Sequence, residues 1–204
     1  MRRLLSRAGI AAVILLTAAQ SAEAHIVASR LGDFYAGALH PLTDLQDDVL
    51  WTALGLLAGS LGATHGRWLV LVLPLGLLLG LSVGLSFGST WIGPLASSGM
   101  MVLIGVLLAV GLRINVAALC AIALVLALMR GVVNAGGVGV GTDRVLFGAG
   151  LALCGYAFIT LITAVTLTFR RNQPTRTWRD IAIRACGSWI AAIGLMVGGF
   201  ALAS

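Results

Sequence analysis

The chain has 204 residues, of which 59% are hydrophobic and 10% are charged, and its mean hydropathy is +1.04. This composition excludes a soluble globular domain and is typical of a polytopic membrane protein. The net charge of +6 comes only from arginine, and the arginines flank apolar segments instead of forming a patch, which argues against nucleic-acid binding.

A signal peptide is predicted at the N-terminus, over residues 1–24. A basic start, an apolar run and a small-x-small cleavage pattern follow one another in the order of a secretory signal. They are Arg2, Arg3 and Arg7, residues 8–19, and Ala22-Glu23-Ala24. Cleavage after Ala24 would leave His25 first, where an α-amino group and an imidazole form a bidentate chelator for copper or nickel. The alternative is an uncleaved first helix on which His25 is merely exposed.

Residues 25–204 are predicted to form one all-α domain, a polytopic membrane helix bundle of six transmembrane helices. A short mixed segment at residues 26–39 precedes the bundle. The six apolar segments cover residues 48–63, 68–87, 91–112, 114–133, 145–169 and 181–202. Segments of about 20 residues match a hydrocarbon core of about 30 Å. The lipid bilayer is therefore the expected surrounding of the whole mature chain.

The distribution of arginine predicts how this bundle is oriented. One side carries Arg67, Arg113, Arg170, Arg171, Arg176, Arg179 and Arg184. Cytoplasmic loops are enriched in arginine, so this side should face the cytoplasm. The mature N-terminus then lies on the outer, periplasmic side of the inner (plasma) membrane, which the signal peptide requires independently.

Glycines recur every four residues in the second segment, at Gly76, Gly80, Gly84 and Gly88. The pairs Gly55/Gly59 and Gly194/Gly198 repeat this spacing in the first and sixth segments. Small residues at this spacing let helix backbones approach closely inside a membrane, which predicts packing surfaces. A glycine face that lines a pathway is the alternative.

Residues 40–48 precede the first long apolar segment and contain its acidic side chains. Pro41 is expected to begin a helix with His40 at the cap position, because proline at a first helical position costs no hydrogen bond. On one continuous helix, His40, Asp44, Asp47 and Asp48 share a face. An imidazole and three carboxylates could hold a divalent cation there. The local sequence favours a simpler interpretation, in which these acids complement the helix dipole.

The connection between the fourth and fifth segments has five glycines between positions 131 and 141 but lacks the Gly-Lys-Ser/Thr of a phosphate-binding loop. Arg130 and Asn134 are spaced to share a helix face. Three alternatives stay open for Arg130: an ion pair with Asp143, an ion pair with the acids of residues 44–48, or a snorkelling side chain. No Ser/His/Asp, Cys/His or HExxH arrangement occurs, so the sequence predicts no enzyme and no permanently bound cofactor.

Several short motifs follow one another along the mature chain. They are Ala24-His25, Phe34, Gly37, His40-Pro41, Leu54-Gly55-Leu56-Leu57-Ala58, Gly155-Tyr156-Ala157, Arg184-Ala185 and Ile190-Ala191-Ala192-Ile193-Gly194-Leu195. In their order the chain resembles the HupE/UreJ family of hydrogenase and urease accessory membrane proteins. The resemblance implies a nickel or cobalt permease for metalloenzyme maturation, with maturation proteins or membrane-complex subunits as partners. A homo-oligomer is compatible with the sequence.

The chain differs from the family pattern at two places. The pattern follows its His-Pro with an Asp-His pair, at positions that here hold Gln46 and Asp47. A histidine-rich motif near the end of the family's fourth segment reads Arg130-Gly131-Val132-Val133-Asn134 in this chain. Fewer imidazoles and more carboxylates shift the expected preference toward harder cations. An arginine at a ligand position also repels a cation.

Two functions stay open at this point. In the first, the chain is a metal-ion permease whose outer capture site consists of His25, His40, Asp44, Asp47 and Asp48. In the second, it is a non-transporting structural or assembly subunit of a membrane complex that kept the fold and lost the metal site. A third hypothesis, an enzyme that uses copper bound at His25, has only the predicted cleavage behind it.

Overall fold

A computed structural model of the chain describes residues 32–89, 92–171 and 178–203. All regular secondary structure in these residues is helical, as the sequence predicts. The helices are α1 (Asp33–Leu39), α2 (Leu45–Leu61), α3 (Ala63–Phe87), α4 (Pro94–Val110), α5 (Val116–Asn134), α6 (Arg144–Arg170) and α7 (Trp178–Ala203), with 3-10 helices at Pro41–Thr43 and Ala135–Gly137. The predicted signal peptide, its cleavage site and His25 lie outside the described residues.

Four of the described helices are long and apolar enough to cross a membrane: α3, α5 with its 3-10 extension, α6 and α7. Helix α4 is apolar but has 17 residues. Helix α2 also has 17 residues and carries two acids in its first turn. The structure thus confirms an all-helical protein with candidate membrane spans, and the number of six spans stays a prediction.

The helix ends follow local capping chemistry. Pro94 is the first residue of α4, where its missing N–H costs nothing. The Asn115 side chain accepts a hydrogen bond of 2.8 Å from the backbone N–H of Ala118 and begins α5. Asp143 does the same for α6, through the N–H groups of Val145 and Leu146. These caps explain why the helices lie within a few residues of the predicted segments.

Glycines hold α3 against α5, as the four-residue spacing predicts. A Cβ on Gly76 would lie 2.6 Å from the Cβ of Ala127, and one on Gly84 would lie 2.7 Å from the carbonyl oxygen of Val132. Between them, Gly80 approaches the backbone of Leu128 more closely than any side chain would allow. Residue numbers at the contacts rise in the same direction on both helices, so α3 and α5 run parallel. The fourth glycine of the series follows the end of α3 instead.

The helices α4 and α7 form a second close pair. A Cβ on Gly105 would lie 2.6 Å from the backbone nitrogen of Ala191, and one on Gly194 would lie 2.8 Å from the Cβ of Met101. The contacts advance in opposite directions, so this pair is antiparallel. Gly59 packs in the same manner on Thr166 of α6. Helix packing through small residues is therefore the general device of this bundle.

Helix α2 is the central element of the described bundle. Four successive core side chains, Leu50, Trp51, Ala53 and Leu54, are fully buried. The helix contacts α3, α4 and α6 along its length. Its N-terminal turn therefore places the side chain of Asp47 among buried residues.

Candidate functional site

The chain changes direction between His40 and the start of α2. Pro41 begins a helix, as predicted, but it is a 3-10 helix that ends at Thr43. Asp44 is extended, and its side chain accepts a hydrogen bond of 2.9 Å from the N–H of Gln46, which caps α2. The expectation of one continuous helix from residue 41 is therefore wrong. His40 does not share a helical face with the three acids, because the helix starts anew after Asp44.

The three acids differ in their surroundings. The side chain of Asp47 is fully buried, whereas that of Asp44 is 38% exposed. Asp48 is partly buried, and its Oδ1 atom is enclosed without a hydrogen-bond partner. Acids at a helix N-terminus do complement the dipole. However, burial of Asp47 at this depth requires a partner as well.

Arg130, in the last turns of α5, is that partner. Its Nε donates a hydrogen bond of 2.6 Å to Oδ1 of Asp47, and its Nη2 donates to Oδ2 of Asp44. Its Nη1 lies 3.3 Å from Oε1 of Gln46 and 3.2 Å from Oγ of Ser97. Arg130 itself is 1% exposed. An ion pair with the acids of residues 44–48 is thus confirmed, and the alternatives of a snorkelling side chain and a pair with Asp143 are wrong.

Asn134 completes the arrangement one helical turn later. Its Nδ2 donates a hydrogen bond of 2.9 Å to Oδ2 of Asp47 and one of 2.8 Å to the carbonyl oxygen of Arg130. Both carboxylate oxygens of Asp47 therefore accept a hydrogen bond. We call Asp44, Gln46, Asp47, Ser97, Arg130 and Asn134 the Arg130 network.

The charges of the Arg130 network do not balance. Two carboxylates, Asp44 and Asp47, face a single guanidinium group. Asp48 adds a third carboxylate on the same helical turn as Asp47. An ion in a low-dielectric region is stable only with full hydrogen bonding and an opposite charge, so Arg130 requires at least one of these acids.

The predicted capture residues are only partly brought together. The ring of His40 lies against Gly137, whose Cβ would be 2.6 Å from Nε2, and 6.0 Å from the ring centre of Phe147. Among residues 32–89, 92–171 and 178–203, no group of three or more His, Cys, Asp and Glu side chains is placed to hold a metal ion. In this conformation Asp44 and Asp47 surround a guanidinium group instead.

Sequence reasoning found Arg130, Asn134 and the acids but missed Ser97. This serine is 2% exposed on α4 and lies one turn after Pro94. A serine in an apolar helix usually returns its hydrogen bond to its own backbone. The sequence does give one indication of this contact: Ser97 and Ser98 are adjacent polar residues in an otherwise apolar helix.

The sequence model of the HupE / UreJ protein family matches residues 13–197, which is nearly the whole chain. The chain belongs to the HupE/UreJ family. Comparison with curated proteins and with solved structures found no match. Proteins of the HupE/UreJ family are membrane transport or accessory proteins and not enzymes. Membership therefore indicates a multi-pass membrane protein of the nickel or cobalt accessory kind.

The structure relates two separate stretches of this HupE/UreJ chain. Gln46 and Asp47 lie in the first turn of α2, and Arg130 and Asn134 lie in the last turns of α5. All four side chains meet in the Arg130 network. The two stretches are thus complementary: an arginine and an asparagine in α5 pair with a carboxylate and an amide in α2.

Proposed function

We propose that this HupE/UreJ protein handles a divalent metal ion, nickel or cobalt by resemblance, as a membrane permease for metalloenzyme maturation. It lies in the inner membrane with its mature N-terminus on the periplasmic side. One observation carries this proposal: the carboxylates of Asp44 and Asp47 converge on a single buried cation, the guanidinium of Arg130. The metal ion is the transported substrate and not a resident cofactor.

The first argument for this function is the shared chemistry of guanidinium and metal ions. Carboxylate oxygens that surround a guanidinium group are also suitable ligands for a divalent cation. A divalent ion that replaced Arg130 would neutralise both Asp44 and Asp47, whereas Arg130 neutralises only one charge. The second argument is access, because the side chain of Asp44 is 38% exposed and offers an entry to the otherwise buried Asp47.

The proposed capture residues are His25, His40, Asp44, Asp47 and Asp48. Asp44 would meet the ion before Asp47, because its side chain is 38% exposed whereas that of Asp47 is fully buried. Asp48 would add its unpartnered Oδ1 atom. His40, on the segment just before Asp44, and His25 would supply imidazole ligands from the outer side. Metalloenzyme maturation proteins are the expected partners.

A second function is favoured by a specific observation. The guanidinium of Arg130 fills the space between Asp44 and Asp47 and satisfies both. A permanent ion pair of this kind would hold α2 to α5 and leave no room for a metal ion. In that case the chain is a non-transporting structural or assembly subunit of a membrane complex.

Uptake of radiolabelled nickel and cobalt into cells separates the two functions. The wild type, His40→Ala/Asp47→Ala and the milder Asp44→Asn are compared with empty vector, at equal protein levels in the membrane fraction. Asp33→Asn is the matched control, because Asp33 is an acid at the same end of the bundle but outside the Arg130 network. The permease requires uptake by the wild type and by Asp33→Asn, and a strong loss in the two other variants.

Absence of wild-type uptake above empty vector overturns the permease, and a stable co-purifying membrane partner then supports the assembly subunit. Uptake that Asp44→Asn and His40→Ala/Asp47→Ala leave unchanged overturns the assignment of the capture residues.

A further inference from the structure

A cavity of about 800 Å³ opens at the end of the bundle opposite Asp44. Three separate segments form its wall: the turn between α2 and α3, the connection between α4 and α5, and the end of α6. This is the end that the arginine distribution places in the cytoplasm. His65, Arg113 and Arg171 line the cavity and none of them belongs to the Arg130 network.

Three of the described arginines at this end of the bundle have a structural role that uses their hydrogen-bond donors. Arg170 donates a hydrogen bond of 2.8 Å to Oδ1 of Asp180 and another hydrogen bond to the carbonyl oxygen of Ser60. Arg179 donates a hydrogen bond to the carbonyl oxygen of Phe169, and Arg184 donates one to the carbonyl oxygen of Ala109. These bonds tie the helix ends together.

Arg113 and Arg171 differ from these arginines. Both are exposed, both line the cavity, and neither forms an ion pair or a side-chain hydrogen bond within the described part of the chain. Asp180 is the one acidic residue among the described residues at this end, and it is bound to Arg170. The cavity wall therefore carries three arginines and no carboxylate, and two of these arginines, Arg113 and Arg171, have no ion-pair partner among the described residues.

The start of α3 also suits an anion. Helix α3 begins after Gly62, which has no side chain to cap it, so the first N–H groups of a 25-residue helix lack an acceptor from the cap. Such N–H groups attract negative charge. His65, in the same turn, is fixed by a contact of 3.1 Å between its Nε2 and the carbonyl oxygen of Ile114. Donors from three segments thus converge on one space.

We propose that this cavity binds a phosphate group, held by Arg113, Arg171 and the first turn of α3. Guanidinium groups bind phosphate in a bidentate manner, and basic pockets between membrane helices take lipid head groups. The apolar side chains of Leu61 and Leu167 share the wall, and the volume exceeds that of a lone phosphate ion. The expected source is the head group of an anionic phospholipid, and free phosphate has the same chemistry. This inference is independent of metal handling.

Lipid binding by the purified full chain tests the proposal. The protein is titrated in detergent with phosphatidylglycerol and with phosphatidylcholine, and bound lipid is counted by native mass spectrometry. Arg113→Gln and Arg171→Gln should each weaken phosphatidylglycerol binding about fivefold, and the double variant about 25-fold, because a surface cation contributes roughly 1 kcal/mol. Arg67→Gln is the matched control, since Arg67 is exposed at the same end but does not line the cavity.

Equal losses in Arg67→Gln and in Arg113→Gln would overturn the proposal, because diffuse charge would then explain binding. Equal affinity for the two lipids, together with no binding of inorganic phosphate, would overturn it too. Binding of inorganic phosphate alone that the double variant abolishes supports a phosphate site with free phosphate as its source. The Arg113→Lys/Arg171→Lys variant keeps both charges but not the bidentate donors, and it guards against misfolding. Binding tighter than that of the double glutamine variant supports the proposal, and a monodisperse lysine variant that binds no better than the double glutamine variant overturns it.

Discussion

The Nε atom of Arg130 donates a hydrogen bond of 2.6 Å to Oδ1 of Asp47 and thereby joins the last turns of α5 to the first turn of α2. Both side chains are buried, and the residues are 83 positions apart in sequence. Because the pair is shielded from water, removal of either partner strands a charge inside the protein.

Asp47→Asn should destabilise the protein by about 3–5 kcal/mol, since the guanidinium of Arg130 loses its best-buried counter-charge. Asp44→Asn should cost about 1 kcal/mol or less, because its side chain is 38% exposed and water replaces part of the lost interaction. Thermal unfolding of the two purified variants in the same detergent measures the difference. Equal melting temperatures would show that burial does not govern the strength of these pairs.

The double variant Arg130→Met/Asp47→Leu should be markedly more stable than either single variant. Replacing both ions with apolar side chains of similar volume removes the stranded charge, and buried pairs replaced in this way cost little stability. A double-mutant cycle with all four proteins gives the coupling energy. A coupling near zero would mean that the two side chains act independently, contrary to the geometry.

Arg130→Gln should strengthen direct binding of nickel or cobalt to the purified protein, at least about tenfold, because the resident cation no longer competes for Asp44 and Asp47. Equilibrium dialysis with the metal ion alone provides the measurement. Ser97→Ala is the control, since it removes one contact of Arg130 but leaves the guanidinium in place. Unchanged or weaker binding by Arg130→Gln would favour the purely structural role of the pair.

Gly80→Ala should destabilise the α3–α5 pair by about 1–3 kcal/mol, because the added methyl group meets the Leu128 backbone. Gly99→Ala is a matched control within a helix. Its Cβ would have no heavy atom within 4 Å, so the better helix propensity of alanine should leave stability unchanged or slightly improved. Yield and melting temperature in detergent report both effects. A harmless Gly80→Ala would contradict the close approach.

A cysteine at Val140 should react with a membrane-impermeant thiol reagent in intact spheroplasts, whereas one at Arg113 should react only after permeabilisation. Both positions are exposed, and they lie at opposite ends of the bundle. The experiment uses a background in which Cys120, Cys154 and Cys186 are replaced by serine. The opposite labelling pattern would reverse the predicted orientation.

The sequence predicted helix positions and helix contacts well, because both depend on local chemistry. Asn115 and Asp143 are recognisable caps, and glycines four residues apart are a recognisable packing face. The partner of Arg130, by contrast, does not follow from local chemistry. Several acids are candidates in the sequence, and only the tertiary arrangement of α2 and α5 selects Asp47 and Asp44.

The interruption at Asp44 was missed for a related reason. Helical periodicity assumes an unbroken helix, while Asp44 both ends the 3-10 helix and caps α2. An aspartate that caps a helix and an aspartate on the acidic face of a continuous helix look the same in the sequence. The position of His40 therefore could not be inferred from spacing.

The contact between Arg130 and Ser97 has a consequence for motion. Arg130 belongs to the α3–α5 pair and Ser97 to the α4–α7 pair, and each pair is locked internally by backbone contact at glycine. A displacement of one pair against the other would stretch the 3.2 Å bond between Nη1 and Oγ. The guanidinium group thus connects two helix pairs that are each held together by glycine contacts.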